Sequence, residues 1–340
     1  MKNHYKRFLY LVYILLAIEL ITRGLILFLH IKSEAVVPSA IGQFDSQLGW
    51  SLKPLSIGYS SATGKKIEYK INSKGLRSKE VGYDKPKNTF RIVLLGDSRT
   101  FGFGCSFDKI FPSLLEGYFK DTEVINMGVS GYGLDQELLM LKLEGLKYHP
   151  DLILVYVAHY RSERHIRKKV FGRSKPCFIL KDNKLELVSF PVKAELPSFL
   201  RKIDAYLSIY LKSYYYFIKM PVRAIYDAVN KNAAFSSKSE ELLVLGGKIV
   251  EEMDMIARNN AAKFAVITQI DDLEQRVKEK GVIALKLSHL LYKRKYALPH
   301  GLNHLNDEGN AVLAKEIVQF IKEKELVPRI YWNMQGERYR

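Results

Sequence analysis

The chain has 340 residues, which is enough for one large domain or two small ones. Lysine and arginine outnumber aspartate and glutamate by 53 to 36, and the net charge of +17 indicates an anionic neighbour such as a membrane surface, an acidic glycan or a nucleic acid. The sequence has no zinc-finger spacing, no RNA-binding signature and no internal repeat, so a nucleic acid is not the expected partner.

Residues 8–30 (FLYLVYILLAIELITRGLILFLH) form an apolar stretch long enough to cross a membrane as a helix. Three basic residues precede it, which favours a cytoplasmic N-terminus and an extracytoplasmic main domain. Glu19 and Arg23 interrupt the stretch four residues apart, so they share a helix face. They either neutralise each other or form a contact face for a second membrane protein. A cleaved signal peptide with residues 8–18 as its apolar core is the alternative, but Arg23 and the apolar residues after it favour an uncleaved anchor.

The segment between the anchor and residue 90 reads as a small β-rich preface to the main domain. Proline, glycine and serine residues in 33–62 are typical of a linker, and KKIEYKINSKGLRS (65–78) alternates as a strand before turning at Gly75. The expected organisation is a tail and transmembrane helix (1–32), a linker and preface (33–88), a main domain (89–325) and a C-terminal tail (326–340).

From residue 90 onward, strands and helices alternate along the chain. This pattern predicts a parallel, doubly wound sheet with right-handed crossovers. The predicted strands are 91–96, 123–128, 151–158, 263–269 and 282–287. The predicted helices are 108–119, with Asp108 as its cap, 134–148, 239–260, 272–280 and 306–324.

A long insertion, 161–238, separates the third and fourth strands. It follows the carboxyl end of a strand, so it is expected to act as a cap or a substrate wall. Its first part, 161–175, holds seven basic residues and one acid, which is typical of a solvated surface or of an anionic-glycan site. A predicted hairpin follows, with its turn at Asp182–Asn183. An aromatic-rich helical part comes next, and its tyrosines 206, 210, 214 and 215 suit a packed helix face better than sugar-stacking platforms.

Cys105 and Cys177 are the only cysteines in the chain. Two cysteines alone cannot build a metal site. In an extracytoplasmic domain they can form one disulfide bridge, and otherwise they act as two unpaired small apolar side chains.

The apolar run 91–96 stops abruptly at Gly-Asp-Ser, and the carboxyl end of such a strand is where open α/β sheets place their chemistry. Ser98 at this position can cap the helix that follows. It can also be a nucleophile, if a base reaches it and backbone N–H groups await an oxyanion. Gly-Asp-Ser alone favours the capping role.

Two further segments change that balance. GDSRT (96–100), INMGVSGYGLDQE (125–137) and HLNDEGNAVLAKEI (304–317) resemble, in order, conserved blocks of the SGNH/GDSL hydrolase family. The resemblance implies a flavodoxin-like sheet of five parallel strands. It also implies Ser98 as nucleophile, His304 as general base, and backbone N–H groups of Ser98 and Gly131 as oxyanion donors. Such a site uses neither a metal nor a cofactor, and neither is expected.

The sequence departs from the family pattern at two positions. Where the third block usually supplies an asparagine to the oxyanion hole, this chain has Tyr160, whose hydroxyl can also donate a hydrogen bond. Where an aspartate usually stands three residues before the base, this chain has Gly301. Asp271 and Asp272, just after the fourth strand, are the carboxylates that can take over the orientation of His304.

Two functions follow from these features. The first is a membrane-anchored esterase or acyltransferase that acts outside the cytoplasmic membrane on O-acyl groups of a glycan or a lipid-linked sugar. The second is a catalytically degenerate relative that binds an anionic polysaccharide or scaffolds a membrane acyltransferase. Ser98 and His304 favour the first, whereas Tyr160, Gly301 and the basic run favour the second.

Overall fold

The computed structural model describes residues 2–28, 40–60, 65–157, 164–194, 199–200, 203, 206–207, 211–222, 225, 239–287, 293–298 and 304–333. The chain forms two compact units. One, the N-terminal unit, comprises Met1–Glu34 and Ala194–Phe235, and the other, the sheet unit, comprises Ala35–Lys193 and Ser236–Arg340. The insertion predicted as one part of the main domain is therefore divided between the two units.

The described strands are, in chain order, β1 (Gly42–Asp45), β2 (Gly49–Leu52), β3 (Ile57–Ser60), β4 (Ile67–Lys70), β5 (Phe90–Gly96), β6 (Thr122–Asn126), β7 (Leu152–Val157), β8 (Lys169–Val170), β9 (Arg173–Ser174), β10 (Cys177–Lys181), β11 (Lys184–Val188), β12 (Lys263–Thr268) and β13 (Ala284–Lys286). The described α-helices are α1 (Lys2–Phe28), α2 (Ser98–Phe101), α3 (Phe111–Glu116), α4 (Leu134–Leu143), α5 (Ser239–Asn259), α6 (Asp271–Glu279) and α7 (Asp307–Glu323).

Five of these strands form the predicted parallel sheet, in the order β6-β5-β7-β12-β13. Numbered along the chain, this is the 2-1-3-4-5 order of flavodoxin-like sheets, in which ligands bind at the carboxyl edge where the strand order reverses. The predicted doubly wound α/β fold is confirmed. Ser98 follows β5, the strand at which the order reverses.

Alternate residues of the central strands point into two separate cores. Val93 and Leu95 of β5 pack with α4, α5 and α6, whereas Ile92 and Leu94 pack with α3 and α7. Apolar runs buried on both faces are the expected sequence of a parallel sheet covered by helices on each side.

The described residues of the β-rich preface and of the C-terminal tail belong to the same packed body as the sheet. Trp50 of β2 and Tyr69 of β4 are buried in the core that contains Val93. Leu326 is buried in the opposite core, and Trp332 packs edge-on against Phe119 at 4.9 Å. The sequence separated these segments from the main domain because their elements are short and do not alternate as β–α units.

Two predicted helices differ in detail. The stretch expected as one helix from Asp108 is a 3₁₀ turn, Phe107–Lys109, followed by α3, since Pro112 lacks an N–H and suits the first turn of a new helix. Asp108 is not its cap. The helix expected over 134–148 ends at Leu143, and a separate 3₁₀ turn, Gly145–Tyr148, follows it. The predicted hairpin turn is confirmed, with φ of +49° and +59° at Asp182 and Asn183.

In the N-terminal unit, α1 contains a span, His4–Leu25, that is long and apolar enough to cross a membrane. It is the one such helix among the described residues. Glu19 and Arg23 form the predicted ion pair, with 2.7 Å between Oε1 and Nε.

Candidate active site

Ser98 is the first residue of α2, directly after β5, but it does not cap that helix. The cap is Asp97, whose Oδ1 accepts a hydrogen bond of 2.9 Å from the backbone N–H of Arg99. The capping role that Gly-Asp-Ser alone suggested for Ser98 is therefore wrong, and the Ser98 side chain is used elsewhere.

His304 supplies the partner of Ser98. Its Nε2 lies 2.8 Å from Ser98 Oγ, and the two residues are only 8% and 3% exposed. When the neutral imidazole carries its proton on Nδ1, Nε2 accepts the hydrogen of the serine hydroxyl. This is the arrangement that a general base and its nucleophile need.

The backbone around His304 is fixed on both sides. An isolated bridge pairs Ala297 with Leu305, and Leu298 N–H donates to His304 C=O at 2.8 Å. Two residues later, Asn306 caps α7 by accepting from Gly309 N–H at 2.8 Å. His304 therefore enters the site from a short, hydrogen-bonded loop that ends in a capped helix.

Phe103 packs its ring against the imidazole of His304, with 4.9 Å between centroids. The loop that carries Phe103 is held by Arg77, which donates to the carbonyls of Phe101, Gly102 and Cys105 at 2.7–2.8 Å. Burial lowers the pKa of Arg77 to about 10, so the side chain remains a cation at neutral pH. A residue of the β-rich preface thus supports the packing of the candidate base.

Cys105 and Cys177 are both buried and unbridged. Cys105 Sγ lies 3.3 Å from the carbonyl of Leu305, next to His304 in sequence. Burial raises the pKa of Cys105 to about 12, so the thiol stays protonated. Of the two alternatives left by the sequence, the structure has unpaired small side chains.

Gly131 lies on the turn after β6, where the sequence places the second oxyanion donor. Its φ of +94° favours glycine, and a Cβ there would meet Trp50 Cζ2 at 3.1 Å and Phe171 Cε2 at 3.3 Å. Gly128 on the same turn approaches α2 so closely that a Cβ would lie 2.3 Å from Phe101 N. Among the described residues, no hydrogen bond leaves the N–H of Ser98 or of Gly131. Both residues are buried.

Arg164, from the insertion, links the two turns of the site. Its Nη1 lies 3.1 Å from Asp97 Oδ2 and 3.1 Å from the carbonyl of Tyr132, the residue after Gly131. The guanidinium lies 5.4 Å from the ring centroid of Phe171. A buried, charge-assisted contact of this kind fixes geometry as well as adding energy.

Further charges lie behind this cluster. Asp135 and Lys175 form a fully buried ion pair. Burial raises the pKa of Asp135 to about 6, although Lys175 opposes the shift. Burial, followed by the negative charges of Asp97 and Asp135, raises the pKa of Glu137 well above its ordinary value. Glu137 therefore holds its proton to a higher pH than an exposed glutamate does.

Only some of the described basic side chains in the run 161–175 are exposed. Arg164 and Lys175 are buried and bind the carboxylates just described, while Lys168, Lys169 and Arg173 are exposed. The interpretation of the whole run as a solvated or glycan-binding surface is wrong for its two buried members.

Of the remaining predicted site residues, the structure describes only Asp271 and Asp272, and neither joins the cluster. Tyr160, with His159 before it, and Gly301 lie outside the described residues. Asp271 is 61% exposed at its side chain and pairs with Lys286 at 3.1 Å, and Asp272 is also exposed. The structure gives neither carboxylate a contact with His304, so it does not support their predicted orienting role.

Comparison with known proteins shows similarity at the level of fold. No protein-family model matches the chain, and no curated protein matches its sequence. A lipolytic protein of the G-D-S-L family from Desulfitobacterium hafniense DCB-2 has 13% identity and a TM-score of 0.37 over 68% of this chain and 99% of its own. An acylhydrolase from Bacteroides fragilis NCTC 9343 has 12% identity and a TM-score of 0.41 over 71% and 90%. An acetylxylan esterase from Geobacillus stearothermophilus has 10% identity and a TM-score of 0.37 over 70% and 96%.

These identities and TM-scores are too low to carry an argument about activity, and the assignment of the fold rests on the chain itself. Its five parallel strands follow the doubly wound order, and its first and last motifs meet at their carboxyl edge. The chain has the flavodoxin-like, doubly wound sheet of five parallel strands that the motif resemblance implied.

Proposed function

We propose that the protein is a membrane-anchored serine esterase or acyltransferase that acts on O-acyl groups of an extracytoplasmic glycan or lipid-linked sugar. The observation that carries the proposal is the 2.8 Å contact between Ser98 Oγ and His304 Nε2. Both residues stand at the positions that the motif resemblance assigns to nucleophile and base. The contact forms at the edge of the sheet where doubly wound folds bind their ligands.

The chemistry follows from this pair. His304 Nε2 takes the Ser98 proton as Oγ attacks the ester carbonyl, and the oxyanion that forms accepts hydrogen bonds from the N–H groups of Ser98 and Gly131. A preorganised donor of this kind is worth about 3–4 kcal/mol. The imidazolium then protonates the departing sugar hydroxyl, which leaves an acyl-serine. Water attacks the acyl-serine in hydrolysis, or a second hydroxyl attacks it in transfer, and His304 again accepts the proton.

Aromatic side chains around Gly131 support a sugar-containing substrate. Phe171 is 45% exposed at the tip of the β8–β9 hairpin, where its φ of +54° is that of a two-residue turn. Trp50 also lies beside Gly131, and Arg173 lies 5.9 Å from the ring centroid of Trp50. The C–H face of a sugar can pack on Phe171 while Arg173 faces an anionic group.

The location is proposed from the anchor. The apolar span His4–Leu25 follows a basic N-terminal segment, which favours a cytoplasmic N-terminus and a catalytic domain on the outer side. The net charge of +17 suits work beside anionic lipid or polysaccharide.

The test is acetate release by the full chain in detergent micelles, with 4-nitrophenyl acetate and an O-acetylated polysaccharide as substrates. Ser98→Ala is expected to abolish release from both. Ser106→Ala, at an exposed serine of the next loop, is the matched control and should keep the wild-type rate. If Ser98→Ala keeps the wild-type rate, the proposal is wrong. Salt-dependent polysaccharide binding without turnover, unaffected by Ser98→Ala, would instead identify the non-catalytic binding protein.

A further inference from the structure

Within the N-terminal unit, the carboxylate of Glu19 binds a second segment of the chain. Oε1 accepts from the backbone N–H of Lys212 at 3.0 Å, and Oε2 accepts from the N–H and the hydroxyl of Ser213 at 2.9 and 2.8 Å. Arg23 donates to the same carboxylate. Glu19 and Thr22 are buried, while most described residues of α1 are exposed, so Lys212 and Ser213 lie against this face of the helix.

The depth of Glu19 places that contact inside the membrane span. Glu19 is six residues before Leu25, the end of the apolar span, which is about 9 Å at the α-helical rise of about 1.5 Å per residue. A carboxylate at such a depth is costly unless it is paired. Lys212 and Ser213 must lie at the same depth, since they donate to it directly.

The residues that follow Ser213 have the composition of a membrane segment. Phe217, Ile218, Val222 and Ile225 are 55–65% exposed. They follow three consecutive tyrosines, the residue type of membrane–water interfaces. Residues 199–225 contain five basic residues and one acid, which suits anionic headgroups.

We propose that the described residues 211–222 and 225 belong to a second membrane-inserted segment, seated against α1 by Glu19 and covered by lipid. This inference rests on the membrane span proposed above. The exposed side chains contact acyl chains, and the basic residues reach anionic headgroups at the interface. The contact partner of the charged face of α1 is a part of the same chain.

The proposal is tested with the full chain in vesicles of phosphatidylcholine and phosphatidylglycerol, using nitroxide labels on single cysteines. Phe217→Cys reports on the new segment, Leu16→Cys on the exposed face of α1, and Ile330→Cys on an exposed position of the sheet unit. The label at 217 is expected to collide several-fold more often with oxygen than with a water-soluble nickel complex, as at position 16. Position 330 should show the opposite ratio.

The two proposals fail differently. An aqueous label at 217 beside a lipid-exposed label at 16 overturns the second segment and leaves the anchor intact. Aqueous labels at both positions overturn the membrane span and the inference with it. Glu19→Ala should lower the oxygen-to-nickel ratio at 217 several-fold while position 16 is unchanged. Glu19→Gln, which keeps one acceptor oxygen, should lower it less, and an unchanged ratio in Glu19→Ala contradicts the seating role of Glu19.

Discussion

Ser98 Oγ and His304 Nε2 lie 2.8 Å apart although 206 residues separate them in the chain. The two groups meet because β5 ends at Ser98 while the loop before α7 brings His304 to the same edge of the sheet. If the two side chains act as one unit, the losses of activity caused by removing each of them should not add. His304→Ala is expected to lower kcat for 4-nitrophenyl acetate by at least about a thousandfold, and Ser98→Ala/His304→Ala should be no slower than Ser98→Ala.

A control for this prediction is His149→Ala, at an exposed histidine, which should keep the wild-type kcat. A double variant much slower than either single variant would show that the two side chains act independently.

Gly131→Ala tests the second oxyanion donor. The added methyl group meets Trp50 and Phe171 at a position with φ of +94°, so the N–H must move. Loss of one donor is expected to lower kcat by about 10²–10³, with a smaller change in KM. Gly281→Ala is the matched control, because Gly281 also has a positive φ (+77°) but open space around its Cβ position. It should cost stability without lowering kcat; equal losses of kcat in both variants would contradict the assignment.

Phe171→Ala tests the proposed sugar platform. The variant is expected to raise KM for an O-acetylated polysaccharide about tenfold, equivalent to about 1.4 kcal/mol, because the sugar loses its aromatic face. KM for 4-nitrophenyl acetate, which has no sugar, should be unchanged. Phe44→Ala, at another partly exposed phenylalanine of the sheet unit, should alter neither value. An equal rise for both substrates would show a general disturbance of the site.

Glu137 should make stability depend on pH. The unfolded chain releases this proton near pH 4.3, while the folded chain keeps it because burial and two neighbouring carboxylates raise the pKa. The pKa of Glu137 is higher in the folded chain than in the unfolded chain. The contribution of Glu137 to the free energy of unfolding is therefore complete below the unfolded pKa. It falls as the pH rises, by at most about 1.4 kcal/mol per pH unit. Glu137→Gln removes that slope.

The measurement is the free energy of unfolding in urea between about pH 5 and pH 8. Tryptophan fluorescence is the signal, since Trp50 and Trp332 both belong to the sheet unit. The free energy of unfolding of the wild-type chain minus that of Glu137→Gln should fall as the pH rises. A difference that stays constant over this pH range would contradict the raised pKa.

The sequence predicts the sheet and the central pair because both depend on local patterns. Buried strands such as 151–158 are continuous apolar runs, and the segments around Ser98 and His304 carry recognisable motifs in the expected order. Their meeting follows from the topology, since parallel strands present their carboxyl ends at one edge.

The supporting contacts are not predictable in this way. Arg164 binds Asp97 from 67 residues away, and Lys175 binds Asp135 from 40 residues away. In the sequence, Arg164 and Lys175 belong to one basic run, and neither differs visibly from the exposed basic residues beside it. In the N-terminal unit, Glu19 binds Lys212 and Ser213 of the insertion, which are 193 and 194 residues distant. Only the fold shows which charges become buried together.

Covalent labelling shows whether Ser98 is an activated nucleophile. The full chain is treated with a fluorophosphonate, and the site of modification is mapped by mass spectrometry of its peptides. We predict one adduct, on the peptide that contains Ser98, which is absent in Ser98→Ala and forms far more slowly in His304→Ala. An adduct that forms equally fast in Ser98→Ala, or a wild-type chain that gains none, would contradict the account.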